Sequence, residues 1–530
     1  MGSVAAQPAD LIIRNAVVYT VNKSQPIAGA IAVRGDRIVA VDNVESLVGP
    51  KTQVLDVAGA TVLPGLIDSH VHMAGLGALL LSFDLRHDKS PESIASKIKQ
   101  AALSQPKGEW IQGRAWDDTN WGGKLPDASI LDKAAPDHPV MLRRVDGHAS
   151  WVNTKAIEIA GINDKTPDPP GGKIIRDNSG KATGILIDRA QGLVGSKIPP
   201  PTEEQIRQVL KRAAQECARL GLTTVHDAGI GPAEIAAYKK LIASGELPVR
   251  VYAMIGGSGE LWKSYLARGP EIGDRLTVRS IKLVADGAMG SRGAAFWQPY
   301  SDAPGNTGLL ILSQADIERV ARDAVAKGFQ VNTHAIGDRA NRTVLDAYGA
   351  VLGKKNDKRF RIEHAQVVSL PDFALFAKYD VIASIQSTHA TSDMRWAEAR
   401  LGPDRLMGAW APRRFLNSGV KITNGSDTPV ENPNPLWGFY AAVTRQDHQG
   451  NPPGGFLPSE KLTRDEALHS WTLAGAYAAF EEKDKGSIET GKLADFIVLN
   501  RDVMKVPERE ILQAKVTMTV LGGKIVYREP

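Results

Sequence analysis

Cysteine is nearly absent from this chain of 530 residues, which contains Cys217 alone. A single cysteine cannot form a disulfide within one chain, so the fold does not depend on an oxidising compartment. No apolar run approaches the roughly 20 residues that a membrane-spanning helix needs, which argues against a membrane partner. The 64 basic and 59 acidic residues leave a net charge of +5 without a dense basic segment, which argues against a nucleic-acid partner.

The composition is that of a soluble globular protein. Hydrophobic residues make up 43% of the chain and charged residues 23%, which excludes intrinsic disorder. The first ten residues have neither the basic nor the apolar segment of an export signal. We therefore favour a cytoplasmic location, while a periplasmic or secreted location stays open in case a signal peptide preceded this start.

Short β-strands are predicted at both ends of the chain. Residues 11–41 are rich in β-branched side chains, and residues 516–527 have the pattern of a hairpin around a Gly-Gly turn. Neither end has enough apolar residues for a core of its own. We therefore expect residues 9–62 and 483–530 to pack together as one composite β domain, a small β-sandwich.

Between the two ends, short apolar strands alternate with longer amphipathic segments, which predicts an α/β fold, a distorted (β/α)8 TIM barrel over residues 63–482. The eight predicted strands are Leu66–His70, Val140–Arg144, Thr223–His226, Ser280–Val284, Gln330–His334, Arg361–His364, Val381–Gln386 and Val420–Asp427. The strands are more widely spaced in the first half. We therefore expect insertions after the first and second strands, at about residues 75–138 and 150–215.

Side chains that bind metals lie at the ends of these predicted strands. His70 and His72 come at the end of the first strand, and an H-x-H pair on an extended chain presents both imidazoles on one side. His334 closes the fifth strand, His364 the sixth and Asp427 the eighth. Barrel enzymes place their catalytic groups at the carboxyl ends of strands, and imidazole and carboxylate suit zinc-like divalent metals. A single histidine of this kind is more often a structural residue than a metal ligand. Four histidines and an aspartate at predicted strand ends of one barrel, however, predict a metal site.

Lys282 lies inside the fourth predicted strand, between apolar neighbours. It could extend its amine to solvent or pair with Asp286. An ammonium inside a barrel is unfavourable, however, and more so beside divalent cations. Burial favours the neutral amine, which can be modified. A lysine carbamate, formed with carbon dioxide, would be an anionic ligand with two oxygens and could bridge two metals.

On these motifs the sequence resembles the amidohydrolase superfamily, within the YtcJ-like amidohydrolase 3 branch that includes N-substituted formamide deformylases. The resemblance covers nearly the whole chain. It is specific for the family and much less so for a substrate. The segments that carry it are 62–72 (VLPGLIDSHVH), 116–118 (WDD), 144–153 (RVDGHASWVN), 282–287 (KLVADG), 334–339 (HAIGDR), 361–364 (RIEH) and 486–496 (GSIETGKLADF).

The resemblance implies a site with two divalent metal ions, which we expect to be zinc. The implied ligands are His70, His72 and Asp427 for one ion and His334 and His364 for the other, with carbamylated Lys282 as the bridge. A hydroxide that bridges the metals would be the nucleophile. Asp427 would accept its proton and pass it to the leaving group. Related enzymes are commonly dimers or larger, which leaves a homodimer as an open expectation.

Five further residues are candidates for contact with a small-molecule substrate. His148 could hydrogen-bond a substrate carbonyl or oxyanion as a catalytic residue, or it could merely fix its loop. Trp116 and Asp117 lie in the first insertion, where the tryptophan could line an apolar pocket or pack in a core. Asp286 and Arg292 lie just beyond Lys282, on a loop that could contact substrate.

The sequence therefore predicts a metal-dependent hydrolase of an amide-type C–N bond, such as an N-acyl or N-formyl amide. Hydrolysis of an ester or lactone on the same site is the alternative. Deamination is less favoured, because the single-metal deaminases of the family generally lack the bridging lysine. A non-catalytic scaffold with this fold is disfavoured because every type of ligand is present.

Overall fold

The computed structural model describes residues 7–85, 88–144, 149–169, 172–257, 261–290 and 292–530. The chain forms two compact units, of which the first comprises Met1–Gly75 and Ala213–Pro530 and the second Leu76–Arg212. Within the described ranges, no helix is both long and apolar enough to cross a bilayer.

Strands and helices alternate through most of the chain. The strands are β1 (Leu11–Arg14), β2 (Val17–Tyr19), β3 (Ile27–Ala28), β4 (Ile31–Arg34), β5 (Arg37–Val41), β6 (Gln53–Asp56), β7 (Thr61–Pro64), β8 (Leu66–Val71), β9 (Phe83–Asp84), β10 (Ile111–Trp116), β11 (Val140–Arg144), β12 (Ala149–Val152), β13 (Gly172–Arg176), β14 (Ala182–Asp188), β15 (Leu222–Ile230), β16 (Arg250–Gly256), β17 (Leu276–Val284), β18 (Gln330–Ala335), β19 (Arg361–His364), β20 (Ile382–Ile385), β21 (Ile422–Asn424), β22 (Phe496–Leu499), β23 (Val516–Leu521) and β24 (Lys524–Arg528). The helices are α1 (Met73–Leu81), α2 (Pro91–Ser104), α3 (Ala128–Ala134), α4 (Thr154–Ile159), α5 (Gln191–Gly195), α6 (Glu203–Arg219), α7 (Pro232–Ala243), α8 (Leu261–Arg268), α9 (Gln314–Ala326), α10 (Asp338–Leu352), α11 (Phe373–Tyr379), α12 (Ser387–Leu406), α13 (Pro412–Asn417), α14 (Pro435–Thr444), α15 (Arg464–Ser470) and α16 (Leu473–Ala478).

The first unit contains a parallel sheet of eight strands in the order β8, β15, β16, β17, β18, β19, β20, β21. Backbone hydrogen bonds bring the two edges of this sheet together. The amide of Asp427, just after β21, donates to the carbonyl of His70 at 2.8 Å, and the amide of His72 donates to the carbonyl of Thr428 at 2.8 Å. The sheet is thus a nearly closed (β/α)8 barrel, and the predicted fold class is confirmed.

The prediction that Val140–Arg144 is a barrel strand is wrong. This segment is β11, which pairs with β10 and β12 in the second unit. The second barrel strand is β15, and the third is β16, which the sequence reading missed. A short apolar run predicts a strand but does not identify its sheet, because the pairing partner lies elsewhere in the chain. As a result, Leu76–Arg212 is one compact unit that lies in sequence between the first two barrel strands.

Both ends of the chain contribute to a six-stranded sheet in the first unit, in the order β24, β23, β22, β7, β2, β3. The C-terminal strand β22 pairs antiparallel with the N-terminal strand β7. A second sheet, in the order β5, β4, β1, β6, comes from the N-terminal segment. Side chains from both ends share one core, in which Val18, Ile31, Phe496 and Val520 are buried. Each end thereby covers apolar surface of the other.

The second unit is built on a mixed six-stranded sheet in the order β13, β14, β12, β11, β10, β9. Ser90 and Asp127 cap the N-termini of helices α2 and α3. Their side chains accept backbone N–H groups of the first turn of each helix. Apolar residues of both helices pack with the sheet around the buried side chains of Trp116 and Trp151.

The shared core of the chain ends predicts that Phe496→Ala lowers the free energy of unfolding by about 3–5 kcal/mol, since it removes a buried aromatic side chain. Denaturant unfolding followed by circular dichroism measures the change. Lys524→Ala, at an exposed position of the same sheet, is the control and should change stability by about 0.5 kcal/mol or less. A loss at Phe496 no larger than that of the control would contradict the shared core.

Candidate metal centre

The carboxyl ends of the barrel strands bring together most of the side chains predicted to bind metal. His70 lies on β8, Lys282 on β17 and His364 at the end of β19, while Asp427 follows β21. In a parallel barrel these strand ends meet at one mouth. The four residues are 0%, 7%, 6% and 7% exposed in that order, so their polar atoms are largely withdrawn from water.

His70, His72 and Asp427 form the first group of potential ligands. His72 Nε2 lies 3.2 Å from Asp427 Oδ1, and His70 Nε2 lies 3.6 Å from the same oxygen. One ligand atom from each residue lies within 4.8 Å of the other two. Two imidazoles and a carboxylate at this spacing are a donor set that suits a divalent transition metal.

His364, His389 and Asp427 form the second group, at the same spacing. His389 Nε2 lies 3.7 Å from Asp427 Oδ2, so each carboxylate oxygen of Asp427 faces a different group. His389 was missed by the sequence reasoning, which considered strand ends, because it lies in the first turn of α12. The signal that could have found it is its position just after the seventh barrel strand, β20.

His334 and Lys282 lie beside these groups. The imidazole ring of His334 is centred 4.5 Å from that of His364, and its Nε2 is 3.4 Å from Asp286 Oδ1. Lys282 Nζ is 3.4 Å from His70 Nε2. Lys282 is therefore within reach of the first group, and His334 is close to the second. Their roles as metal ligands remain predictions.

Hydrogen bonds on the far side of each ring orient the histidines. His72 Nδ1 donates to the carbonyl of Ala228 at 3.0 Å, and His364 Nδ1 donates to Gln386 Oε1 at 2.7 Å. Because both acceptors are carbonyl-type oxygens, Nδ1 of each ring is protonated, and Nε2 is directed away from that acceptor. Carbonyl and carboxylate partners of this kind orient the histidines of metal sites.

His70 is held by a buried ion pair. Its Nδ1 lies 2.6 Å from Glu363 Oε2, and Arg361 Nε lies 2.7 Å from Glu363 Oε1. The side chains of all three residues are fully buried. Burial alone raises the pKa of Glu363, but Arg361 and His70 hold it well below its usual range. Glu363 is therefore an anion that fixes the His70 ring.

The electrostatics of the site favour the neutral forms of His70 and His364. Burial and the charge of Lys282 lower the pKa of His70 to about 4, and burial and His334 lower the pKa of His364 well below its usual range. Burial acts to raise the pKa of Asp427, but the hydrogen bond from His72 and the nearby histidines hold it well below its usual range. Neutral imidazoles and an ionised carboxylate are the protonation states that metal binding requires.

The buried polar atoms also fit a metal centre. His389 Nε2 is buried, and no hydrogen-bond partner for it occurs in the described part of the chain. A buried nitrogen without a partner is unfavourable unless a ligand satisfies it. Burial lowers the pKa of Lys282, although Glu363 and Asp427 oppose this effect, and the neutral amine that burial favours is the form that reacts with carbon dioxide.

The contacts of Asp286 and Arg292 differ from one another. Asp286 is fully buried and accepts the backbone N–H groups of Ala295, Ile336 and Gly337 at 2.9–3.0 Å, so its carboxylate holds two loops together. Arg292 is paired with Asp302 at 2.8 Å. Contact of either residue with substrate remains a prediction. His148 lies outside the described residues.

Trp116 and Asp117 belong to the second unit. The Trp116 side chain is fully buried, and its indole N–H donates to the carbonyl of Leu142 at 2.8 Å. Asp117 lies 3.2 Å from Arg144 Nη2. These contacts place Trp116 in the core of its unit, and a substrate contact for either residue remains a prediction.

A nearly closed parallel barrel, with two groups of histidines that share an aspartate at its carboxyl mouth, defines a barrel protein with a candidate metal centre. The chain belongs to the amidohydrolase family, whose sequence profile matches residues 53–527. The resemblance inferred from the sequence motifs is therefore confirmed.

Three relatives match over most of their length. The protein LONG AFTER FAR-RED 3 of Arabidopsis thaliana is 34% identical, over 98% of this chain and 92% of its own. The putative amidohydrolase YtcJ of Bacillus subtilis is 33% identical over 91% of both chains. The N-substituted formamide deformylase of Arthrobacter pascens is 29% identical over 98% of this chain and 99% of its own.

Two solved structures of metal-dependent hydrolases have the same fold as this chain. An uncharacterised metal-dependent hydrolase from Pyrococcus horikoshii superposes with a TM-score of 0.80 at 26% identity, over 94% of this chain and 99% of its own. One from Pyrococcus furiosus has a TM-score of 0.78 at 27% identity, over 93% and 100%. The family match and these similarities support a hydrolase.

Because both candidate groups share Asp427, Asp427→Asn should lower the metal content of both. His72→Ala should lower that of the first group alone. Elemental analysis of protein reconstituted with zinc and then desalted measures this as bound zinc per chain. Asp323→Asn, at an exposed position on α9, is the matched control and should retain the wild-type content. Full zinc content in Asp427→Asn would show that the shared carboxylate is not a ligand.

Proposed function

We propose that the protein is a metal-dependent hydrolase that cleaves an amide-type C–N bond of a small molecule. The observation that carries this proposal is the pair of histidine groups that share the two oxygens of Asp427 at the barrel mouth. The similarity to an N-substituted formamide deformylase over nearly the full length of both chains supports an N-formyl or N-acyl amide as substrate. Ester or lactone hydrolysis on the same site is the alternative.

The residues present fit two divalent cations, with zinc as the expected metal. One would be held by His70, His72 and Asp427. For the other, the family resemblance favours His334 and His364, while the geometry adds His389. When bound, such cations polarise a substrate carbonyl and lower the pKa of a coordinated water towards neutrality.

Lys282 would complete the site as a carbamate. Its neutral amine would form an N–C bond with carbon dioxide and release one proton, which gives a carbamate anion with two oxygens. The distance of 3.4 Å between its Nζ and His70 Nε2 supports this role. The change would also remove the repulsion between an ammonium and the metals.

Asp427 would move the proton of the reaction. Its carboxylate is ionised at neutral pH, because its pKa is held low, so it can accept a proton from the attacking water as the water oxygen bonds to the carbonyl carbon. The C–N bond then breaks, and the carboxylate returns that proton to the leaving nitrogen. Glu363 and Arg361 position the His70 ring, and His148 is the proposed hydrogen-bond donor to the substrate oxygen.

A hydrolysis screen of the zinc-loaded protein tests the reaction class. The compounds are an N-substituted formamide, its N-acetyl analogue, the matched formate ester and a lactone. We expect turnover of an amide, and a loss of kcat of about 100-fold or more in Asp427→Asn, with Asp323→Asn as the unaffected control. Turnover of the ester or lactone alone would favour the alternative. No turnover by protein with its metals bound would favour a non-catalytic role.

The lysine carbamate predicts that Lys282→Ala loses bound metal and most of its turnover. Added formate, acetate or propionate should restore part of both, because a short carboxylate supplies two oxygens in the vacated volume, while added amines should not. Lys282→Arg keeps a positive charge but cannot form the carbamate. A fully active Lys282→Arg with its metals bound would show that the bridge is wrong.

A further inference from the structure

A small cavity adjoins the second group of potential ligands. It is lined by His364 and His389 of that group, and also by Gln386, Trp410 and Arg445. The space open to the centre of a water-sized sphere is about 10 Å³, which is room for one oxygen atom. The cavity therefore has the size to receive one end of a polar group.

Two residues that line this cavity have a hydrogen-bond donor with no acceptor in the described part of the chain. Trp410 Nε1 and Arg445 Nη2 are buried, and neither has a hydrogen-bond partner among the residues that the structure describes. Trp410 is 6% exposed and Arg445 is 1% exposed. Gln386, by contrast, is engaged, because its Oε1 accepts from His364. Buried donors are almost always paired, so two orphaned donors on one cavity wall indicate a missing acceptor.

Arg445 is also a buried cation without a counter-ion. Its Nε donates to the carbonyl of Phe456 at 3.0 Å, and no carboxylate in the described ranges forms an ion pair with it. Glu460 acts on it only from a distance, and Glu460 Oε2 accepts the backbone N–H of Arg414. Burial lowers the pKa of Arg445 to about 10, so it stays charged at neutral pH. A buried guanidinium is stable when an anion satisfies it.

The backbone holds both donors in an uncommon conformation. Trp410 has φ 43° and Arg445 has φ 59°, in the left-handed region that side chains other than glycine rarely adopt. Each is fixed by its own amide, which donates to Gln366 O at 2.7 Å for Trp410 and to Ala441 O at 2.9 Å for Arg445. Arg445 is the residue that ends α14, where helices often adopt this conformation, while at Trp410 the conformation fits a ligand site.

We propose that Arg445 and Trp410 bind a carboxylate group of the substrate beside the metal centre. The substrate class is then an amide that carries a free carboxylate, as an N-acyl amino acid does. One carboxylate oxygen would enter the cavity and accept from Trp410 Nε1 and Arg445 Nη2. This inference rests on the proposed function for the reaction, while the binding site itself can be tested without turnover.

The test compares matched pairs of probes on the zinc-loaded full chain. Each pair is an N-acetyl ω-amino acid and its carboxamide, and the pairs derive from glycine, β-alanine and 4-aminobutyrate, so that the distance between the acetyl group and the carboxylate varies. The acetyl group is the same in both members of a pair, so a difference reports on the carboxylate. We expect at least one pair in which the acid has the higher kcat/KM and the tighter Kd by calorimetry, by about 10- to 100-fold.

Arg445→Met should remove this preference. Trp410→Phe should reduce it. This second variant deletes a donor that has no partner among the described residues, so it remains a usable test if Arg445→Met fails to fold. Arg413→Met is the matched control, because Arg413 is paired with Glu466 and its side chain contacts are elsewhere. It should keep the wild-type preference.

Two outcomes would contradict the proposed carboxylate site. In the first, the wild type binds no acid more tightly than the matching carboxamide. In the second, the Arg445 and Trp410 variants keep the wild-type preference for the acid. An equal loss for both members of a pair in Arg445→Met would instead assign the guanidinium to the reacting carbonyl. Preferential binding of the acid without any turnover would support the site and count against the proposed reaction.

Discussion

The closure of the barrel is the constraint on which the site depends. Hydrogen bonds from the amides of Asp427 and His72 to the opposite edge join the last barrel strand to the first. They bring a carboxylate from one end of the barrel domain against histidines from the other end. Asp427 then presents one oxygen to His72 and the other to His389. A chain that did not close would leave the two histidine groups without a common ligand.

Burial at that mouth would be unfavourable for charged groups without specific partners. Burial favours the neutral forms of His70 and His364, and the rings of His70, His72 and His364 each have an acceptor at Nδ1. Glu363 is the one buried anion in contact with His70 Nδ1 in the described part of the chain, and Arg361 balances its charge. Arg445 differs from these groups: its Nε donates to the carbonyl of Phe456, but its Nη2 has no hydrogen-bond partner among the described residues. This difference supports the proposal that Arg445 binds a ligand.

Much of the fold and of the site could be predicted from the sequence. Seven of the eight barrel strands, and the positions of His70, His364 and Asp427 at or just after strand ends, follow from local patterns. The strand Val140–Arg144 could not be assigned to its sheet, because its apolar run is the same whichever strand lies beside it. His389 was missed because it lies in a helix and not at a strand end, although its position just after β20 could have indicated it.

The sequence by itself determined the side chains with metal-binding chemistry, the family and the barrel that carries them, because these depend on residue type and spacing along the chain. Only the tertiary structure decided which atoms meet. It places Asp427 next to two histidine groups and Glu363 next to the His70 ring. It also brings Trp410 and Arg445 to one small cavity, where each has a donor with no acceptor among the described residues. These are contacts between segments far apart in sequence. The barrel brings these segments together, and the sequence pattern within any one segment does not show which other segment it will contact.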